Sequence, residues 1–427
     1  MSNRFNGNAM KVAALIFAGM LLAARPASAE QSKAPEPLQL DRLIEIALEE
    51  NQQLAALRSK TAAERAKVPQ ARALPDPMAA LGFDNLLHPD RGIMLEVRQM
   101  VPWPGKLRLM SEAAALSADR TVTEYTEKAY EVVAEVKKAY YDLYFLEKSI
   151  EIALANKDVL ADFVKIAEAK YSVGAGIQQD VLRAQVAQSR ILDDLLMLQQ
   201  RETAARARLN ALLNRPPDAP LGPAGALKQN KVKLDQRALE EIALERRAML
   251  EGMRLMIAEA DKMRALAKRE LKPDYELRLG VAPAGGMEAG GTAMTGMVMV
   301  QVPLYRRKKQ DKAIEQRGAE LRSAQSEYEA QKTMVFSMIK ETLAMLEAND
   351  RSAELYHTGI IPQAQLALES ARAGYQVNKV DFLALLDSQM SLYSAYREYY
   401  RAVTEHEKAV AELERAIGEP LDAEVQR

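Results

Sequence analysis

Between Gly105 and Arg215 the chain carries no proline, and its only internal glycines are Gly174 and Gly176. So long a stretch without breakers, rich in helix formers and with apolar residues at three- and four-residue spacing, is confined to long α-helix. One apolar row is Val132, Val136, Ala139, Leu143, Leu146 and Ile150. A second is Leu182, Val186, Leu192 and Leu196, with the small Ser189 in the gap. As one helix, Pro104 to Lys170 would reach about 100 Å. Val173-Gly174-Ala175-Gly176 then reverses the chain, and a second helix returns over Ile177 to Asn214. A hairpin this long exceeds what a compact domain can bury and points to coiled-coil packing. Between Leu304 and Glu419 the same texture returns, interrupted by Gly318, Gly359, Pro362, Gly374 and Gly418.

Composition narrows the class. The 427 residues are 48% hydrophobic and 27% charged, which argues against global disorder. Lys and Arg number 58 against 59 Asp and Glu, so the basic footprint of a nucleic-acid binder is missing. With no Cys, disulfides, thiolate metal sites, Cys nucleophiles and a lipidated N-terminal Cys are ruled out. At the N-terminus Arg4 and Lys11 precede an apolar run from Val12 to Ala24, followed by Ala27-Ser28-Ala29. That is the layout of a secretory signal peptide over residues 1–29, too short to span a bilayer. Removing it leaves 55 basic against 59 acidic residues, a net charge of −4.

Two regions depart from the helical pattern. Ile93, Leu95 and Val97 alternate with Met94, Glu96 and Arg98, and weaker alternation (Ala79, Leu81, Phe83) precedes them. Tyr275, Leu277, Leu279 and Val281 alternate with Glu276, Arg278 and Gly280, and Val298, Val300 and Val302 with Met297, Met299 and Gln301. Period-two patterning with one apolar and one more polar face predicts half-buried strands, here two β-hairpins. Asn85, His88-Pro89-Asp90 and Gly92 are expected at one turn, and Gly285-Gly286 and Gly290-Gly291 at the other. His88 is expected in a solvated external loop.

The chain also repeats itself. Glu45-Ile46-Ala47-Leu48 returns as Glu241-Ile242-Ala243-Leu244, and Leu74-Pro75-Asp76 corresponds to Lys272-Pro273-Asp274. Val101-Pro102-Trp103 corresponds to Val302-Pro303-Leu304, and Tyr171 with Gln185 to Tyr375 with Gln389. The expected organisation is a first repeat over 30–215, with a β-hairpin at about 77–101 and a helical hairpin at about 104–214. A linker spans 216–233. The second repeat covers 234–427, with a β-hairpin at about 274–303 and a helical hairpin at about 305–417.

Four strands cannot close a barrel, and an exported protein with two-faced strands suits an outer membrane, where edges must be closed. Two chains would give eight strands with a filled interior, while three give twelve and leave a lumen. The helical hairpins then hang below as a tube, which makes the assembly a conduit.

The sequence resembles the TolC family of outer-membrane efflux channels over essentially all of residues 38–420. The resemblance rests on Ala73-Leu74-Pro75-Asp76-Pro77, on Gln99 with Pro102-Trp103-Pro104-Gly105-Lys106, and on Val300-x-Val302-Pro303-Leu304-Tyr305. It also rests on Tyr171-x-x-Gly174 with Asp180-Val181-Leu182, and on Ile361-Pro362-Gln363-Ala364 leading to Tyr375 and Asp381-Phe382-Leu383. The PDP and PWPGK wording is closest to the branch serving heavy-metal pumps of the resistance-nodulation-division kind. The resemblance implies a mainly α fold with a small β part: a homotrimer with a twelve-strand barrel in outer-membrane lipid and a twelve-helix periplasmic tunnel. It also implies a periplasmic membrane-fusion adaptor and an inner-membrane pump as partners, no cofactor, and passive export of heavy-metal ions or drugs.

Candidate sites follow from that layout. The hairpin tips, Val173, Gly174, Ala175 and Gly176 in one repeat and Val377, Asn378, Lys379 and Val380 in the other, are expected to dock the adaptor. The family usually has Gly where Asn378 stands, and Asn tolerates the left-handed turn. Asp387, with Asp180 nearby, is expected to ring the periplasmic entrance; the competing reading is an ion pair through Arg183 or Lys379. Ala384 replaces a companion acid found in relatives, and Val380 stands where an Arg gate can occur. Pro75, Pro77, Pro102, Trp103, Pro104, Gly105, Pro273 and Pro303 mark the barrel–tunnel junction. Trp103 and Tyr305 there read either as an interfacial belt or as packing. Segments 75–101 and 274–303 hold Met78, Met94, Met100, Met287, Met294, Met297 and Met299, which fill gaps or, for Met94, Met297 and Met299, line the lumen as soft ligands. Tyr393, Tyr396, Tyr399 and Tyr400 read as interhelical packing. No nucleophile–base pair or phosphate loop supports an enzyme. The rival to the channel is a periplasmic coiled-coil adaptor or structural protein, which typically carries one hairpin rather than two.

Overall fold

The computed structural model describes residues 37–84, 92–227, 235–284 and 291–421. The signal segment, His88, Met287 and the strand-connecting turns lie outside the described residues. In chain order the elements are α1 (Leu40–Glu50), α2 (Gln52–Arg72), β1 (Met78–Asp84), β2 (Gly92–Val101), α3 (Lys106–Ser172) and α4 (Gln178–Leu212). The second half supplies α5 (Gln236–Arg246), α6 (Ala248–Arg269), β3 (Asp274–Ala284), β4 (Gly291–Gln301), α7 (Gln310–Leu355), α8 (Ile361–Gln376) and α9 (Phe382–Ile417). A single π-helical turn, Tyr356–Ile360, joins α7 to α8.

The long breaker-free stretch is one 67-residue helix, α3. It starts behind Gly105, whose φ of 89° only glycine adopts easily. It ends where Gly174, at φ 71°, turns the chain. There the amide of Ala175 donates to the carbonyl of Lys170 at 2.9 Å, capping an orphan carbonyl. The second tip repeats the device: Asn378 takes φ 57° and Lys379 N–H donates to Gly374 O at 2.8 Å.

The strands form one antiparallel sheet in the order β1-β2-β3-β4, so the two hairpins join through β2 and β3, with Val97 opposite Leu279 and Arg98 opposite Arg278. Both β1 and β4 are edge strands in the single chain. The helices follow the same plan. At the far end α4 packs on α3, α3 on α9, and α9 on α8; nearer the sheet α2 packs on α3, α3 on α6, and α6 on α7. The layer is therefore four helices wide at either level, with open flanks.

Its apolar seams sit between these neighbours. Leu160, Phe163, Phe382 and Leu385 meet between α3 and α9, joining the two repeats, and Val132, Val136 and Leu143 pack with Leu54 and Leu209. The row read from sequence on α3 is thus buried. The row on α4 is not: Leu182, Val186, Leu192 and Leu196 are exposed, and the buried face of α4 is Ala184, Ala187, Ile191, Leu195 and Leu198. This helix carries two apolar stripes, and α3 covers the one rich in small residues, which permits closer approach.

Candidate functional site

The sheet presents two chemically distinct faces. Leu95, Val97, Leu277, Leu279, Val281, Val298 and Val300 share one face through the cross-strand register, and all are exposed. The opposite face holds Glu96, Arg98, Glu276 and Arg278 in a charge network: Arg98–Glu96 at 2.7 Å, Arg278–Glu276 at 2.6 Å and Arg278–Glu96 at 3.6 Å. Met94, Met297 and Met299 lie on that charged face, together with Met78 and Met100, whereas Met294 falls on the apolar one. An unpaired charge on a lipid-facing surface is expensive, so the pattern fixes which face can meet lipid and which can meet water.

Where the sheet meets the helices, the prolines shape a clamp. Trp103 N–H donates to Asp274 Oδ1 at 2.7 Å, and buried Lys106 Nζ donates to both Asp274 oxygens at 2.8 Å. Arg269 donates to Pro104 O at 2.8 Å, directly over Gly105, where a Cβ would lie 2.8 Å from the guanidinium. Gln99 donates to Pro75 O at 2.8 Å. The Trp103 ring stacks on Tyr275 at 5.8 Å, so packing accounts for it, while Tyr305 is exposed. Pro102 and Pro273 enter this clamp from the two strands, and Pro77 and Pro303 occupy the corresponding ends of β1 and β4.

At the other end, Val173, Gly174, Ala175, Val377, Asn378 and Lys379 are exposed, with Gly176 and Val380 partly covered. Size is exchanged between the two tips. Gly176 faces Lys170 in the first; in the second Gly374 takes the place of Lys170, and Val380 takes the place of Gly176. A Cβ on Gly374 would lie 2.4 Å from Val380 Cγ2. Lys170 joins the tips: its ammonium donates to Asn378 Oδ1 at 2.7 Å and to Tyr375 O, and lies 4.1 Å from the centre of the Tyr375 ring.

Asp387 is exposed on α9 and Asp180 is half-buried at the start of α4. Among the described residues neither forms an ion pair, with Arg183, Lys379 or any other base. Burial, reinforced by the nearby Asp381 carboxylate and opposed by Arg183, raises the pKa of Asp180. Asp381, which also caps α9 by accepting from Ala384 N–H at 2.9 Å, thus shares the Asp180 neighbourhood. Sequence reading missed it as a site residue, although the start of α9 after the tip was a usable signal.

Residues 91–215 match the family described as Outer membrane efflux protein. The cobalt-zinc-cadmium resistance protein CzcC of Cupriavidus metallidurans is 22% identical over 86% of this chain and 87% of its own. Among solved structures, CusC superposes with a TM-score of 0.79 at 18% identity, covering 93% of this chain and 99% of CusC. VceC of Vibrio cholerae gives 0.77 at 18%, covering 90% and 97%. The chain therefore has the fold of these solved outer-membrane channels.

The tyrosines of α9 are structural. Tyr393 OH donates to Asp194, which also holds Arg397 at 2.8 Å; burial and that carboxylate push the Tyr393 pKa up to about 12. Tyr396 OH accepts from Gln365 at 2.7 Å, and Tyr400 packs edge-on against Tyr399. Among the described residues no cluster of His, Asp and Glu is arranged to hold a metal ion.

Proposed function

We propose that the chain is the exit channel of a tripartite efflux system, in which three copies close a twelve-strand barrel in the outer membrane and a twelve-helix periplasmic tunnel after removal of residues 1–29. The observation that carries this is the open layer: among the described residues β1 and β4 have no partner on their outer sides, and α4 exposes an apolar stripe, Leu182, Val186, Leu192 and Leu196, along one flank. Unpaired strand edges are untenable in hydrocarbon, and twelve strands leave a lumen where eight do not. The apolar sheet face meets lipid, and the charged face with Met94, Met297 and Met299 lines the lumen.

In this reading the tips at 173–176 and 377–380 receive the periplasmic adaptor, and an inner-membrane resistance-nodulation-division pump supplies both cargo and energy. Asp387 and Asp180, repeated three times, attract cations at the entrance. Likeness to a cobalt-zinc-cadmium resistance protein supports heavy-metal cations as the cargo class. The test is the purified protein in planar bilayers: a detergent-soluble trimer with ion conductance is expected, and a folded monomer without conductance overturns the reading. Replacing Gly174 with Trp should abolish export and adaptor cross-linking while leaving trimers intact; unchanged export refutes the docking assignment.

A further inference from the structure

The clamp between β2 and β3 is built from elements that occur twice in the chain but is closed only once. Asp274, at the start of β3, receives Trp103 N–H and the Lys106 ammonium from the segment after β2. The repeat supplies the same parts at the outer edges. Asp76 precedes β1 in the Pro-Asp setting of Asp274, and Val302-Pro303-Leu304 follows β4 as Val101-Pro102-Trp103 follows β2. Counting on from Trp103 to Lys106 in the first repeat leads from Leu304 to Arg307 in the second. These outer parts are unspent. Asp76 and Arg307 are exposed, and neither has an ion-pair partner among the described residues, whereas the adjacent Arg306 is held by Asp311. The amide of Leu304, 82% exposed, bonds only to Val302 O two residues back.

We propose that the joint between copies repeats the joint within the chain: Asp76 of one copy is clamped by Arg307 and the Leu304 amide of its neighbour, and this clamp fixes the register of β4 against β1. The inference rests on the trimer proposed above and deepens it. Transposing Met100 opposite Glu276 through the repeat places Gln301 opposite Met78 of the next copy. Transposing Val97 opposite Leu279 places Val298 opposite Leu81, apolar on apolar. The clamp joins a carboxylate to a guanidinium at the edge of the membrane, where partial desolvation strengthens a charge-assisted pair. It also gives a heterologous contact that can close a ring, since donor and acceptor sit on opposite flanks.

The absence of cysteine in the chain makes the register directly testable. Met78→Cys combined with Gln301→Cys should yield covalent dimers and trimers on oxidation, because directly opposed positions on paired strands lie within disulfide reach. Met78→Cys with Met299→Cys, two residues out of register, should not, since the diagonal separation of about 7–8 Å is too long. Trimers captured by glutaraldehyde that fail to form the in-register disulfide, or that favour the offset pair, overturn the proposed joint while sparing the trimer. A chain that stays monomeric under both treatments overturns both. For the clamp itself, Asp76→Arg and Arg307→Asp should each lose the trimer band at a lower temperature, and the double reversal should restore it. Loss in Arg307→Asp alone, with no rescue in the double variant, would assign the basic segment to another partner, such as anionic lipid, and refute the pair.

Discussion

The inner seam of the layer and its two flanks are built from the same residue types and end in opposite states. Along the seam, α3 and α9 bury Leu160, Phe163, Phe382 and Leu385 and add ion pairs from Lys137 to Glu414, Lys138 to Glu412 and Lys408 to Asp142. Along the α4 flank, Leu182, Val186, Leu192 and Leu196 face outward, and on α7 and α8 Met334, Met345 and Leu366 are exposed. The sheet makes the same contrast, with β2 and β3 paired and β1 and β4 open. Scattered apolar residues on a surface need no explanation, but a continuous stripe along the edge of a layer marks an interface. The difference teaches that the single chain is finished along its seam and open along its edges.

The largest expected effect is on the seam. Leu160→Ala empties a fully buried position and should cost about 2–5 kcal/mol, read as a lower unfolding midpoint by circular dichroism. The flank should respond differently: Leu196→Ser, at a position 65% exposed, should keep helix content and reduce the trimer fraction. Equal loss of helix in both variants would erase the distinction between seam and flank.

The two tips sharpen the comparison at smaller scale. Gly374→Ala drives a Cβ into Val380 and should cost about 1–3 kcal/mol, seen as faster hydrogen exchange over 370–381. Adding Val380→Gly recreates the small residue of the first tip and should recover most of the protection. Lys170→Met removes the bonds to Asn378 and Tyr375 and should loosen the second tip by about 1 kcal/mol, leaving the first unchanged.

The smallest effect is electrostatic. Asp387→Ala should weaken cation selectivity and block by trivalent ions without altering assembly; identical recordings would refute the entrance ring. Because the pKa of Asp180 is raised, its negative charge is lost at a higher pH than that of an ordinary aspartate as the solution is acidified. Block should therefore weaken on lowering pH from neutral, and Asp180→Asn should flatten the upper part of that dependence.

Much of the fold follows from local sequence alone. The 67-residue span of α3 reflects the lack of Pro and Gly, and the turns at Gly174 and Asn378 reflect which residues adopt positive φ at little cost. The alternation of Leu277 and Leu279 with Glu276 and Arg278 sets the two faces of β3 because side chains alternate along any strand. Only the tertiary structure decided which of the two apolar stripes of α4 turns inward, since periodicity marks a face without naming what covers it. The same holds for Asp274 meeting Lys106 and for Lys170 reaching Asn378. Each contact joins residues more than 160 positions apart, and each depends on how two long hairpins align, which no local pattern records.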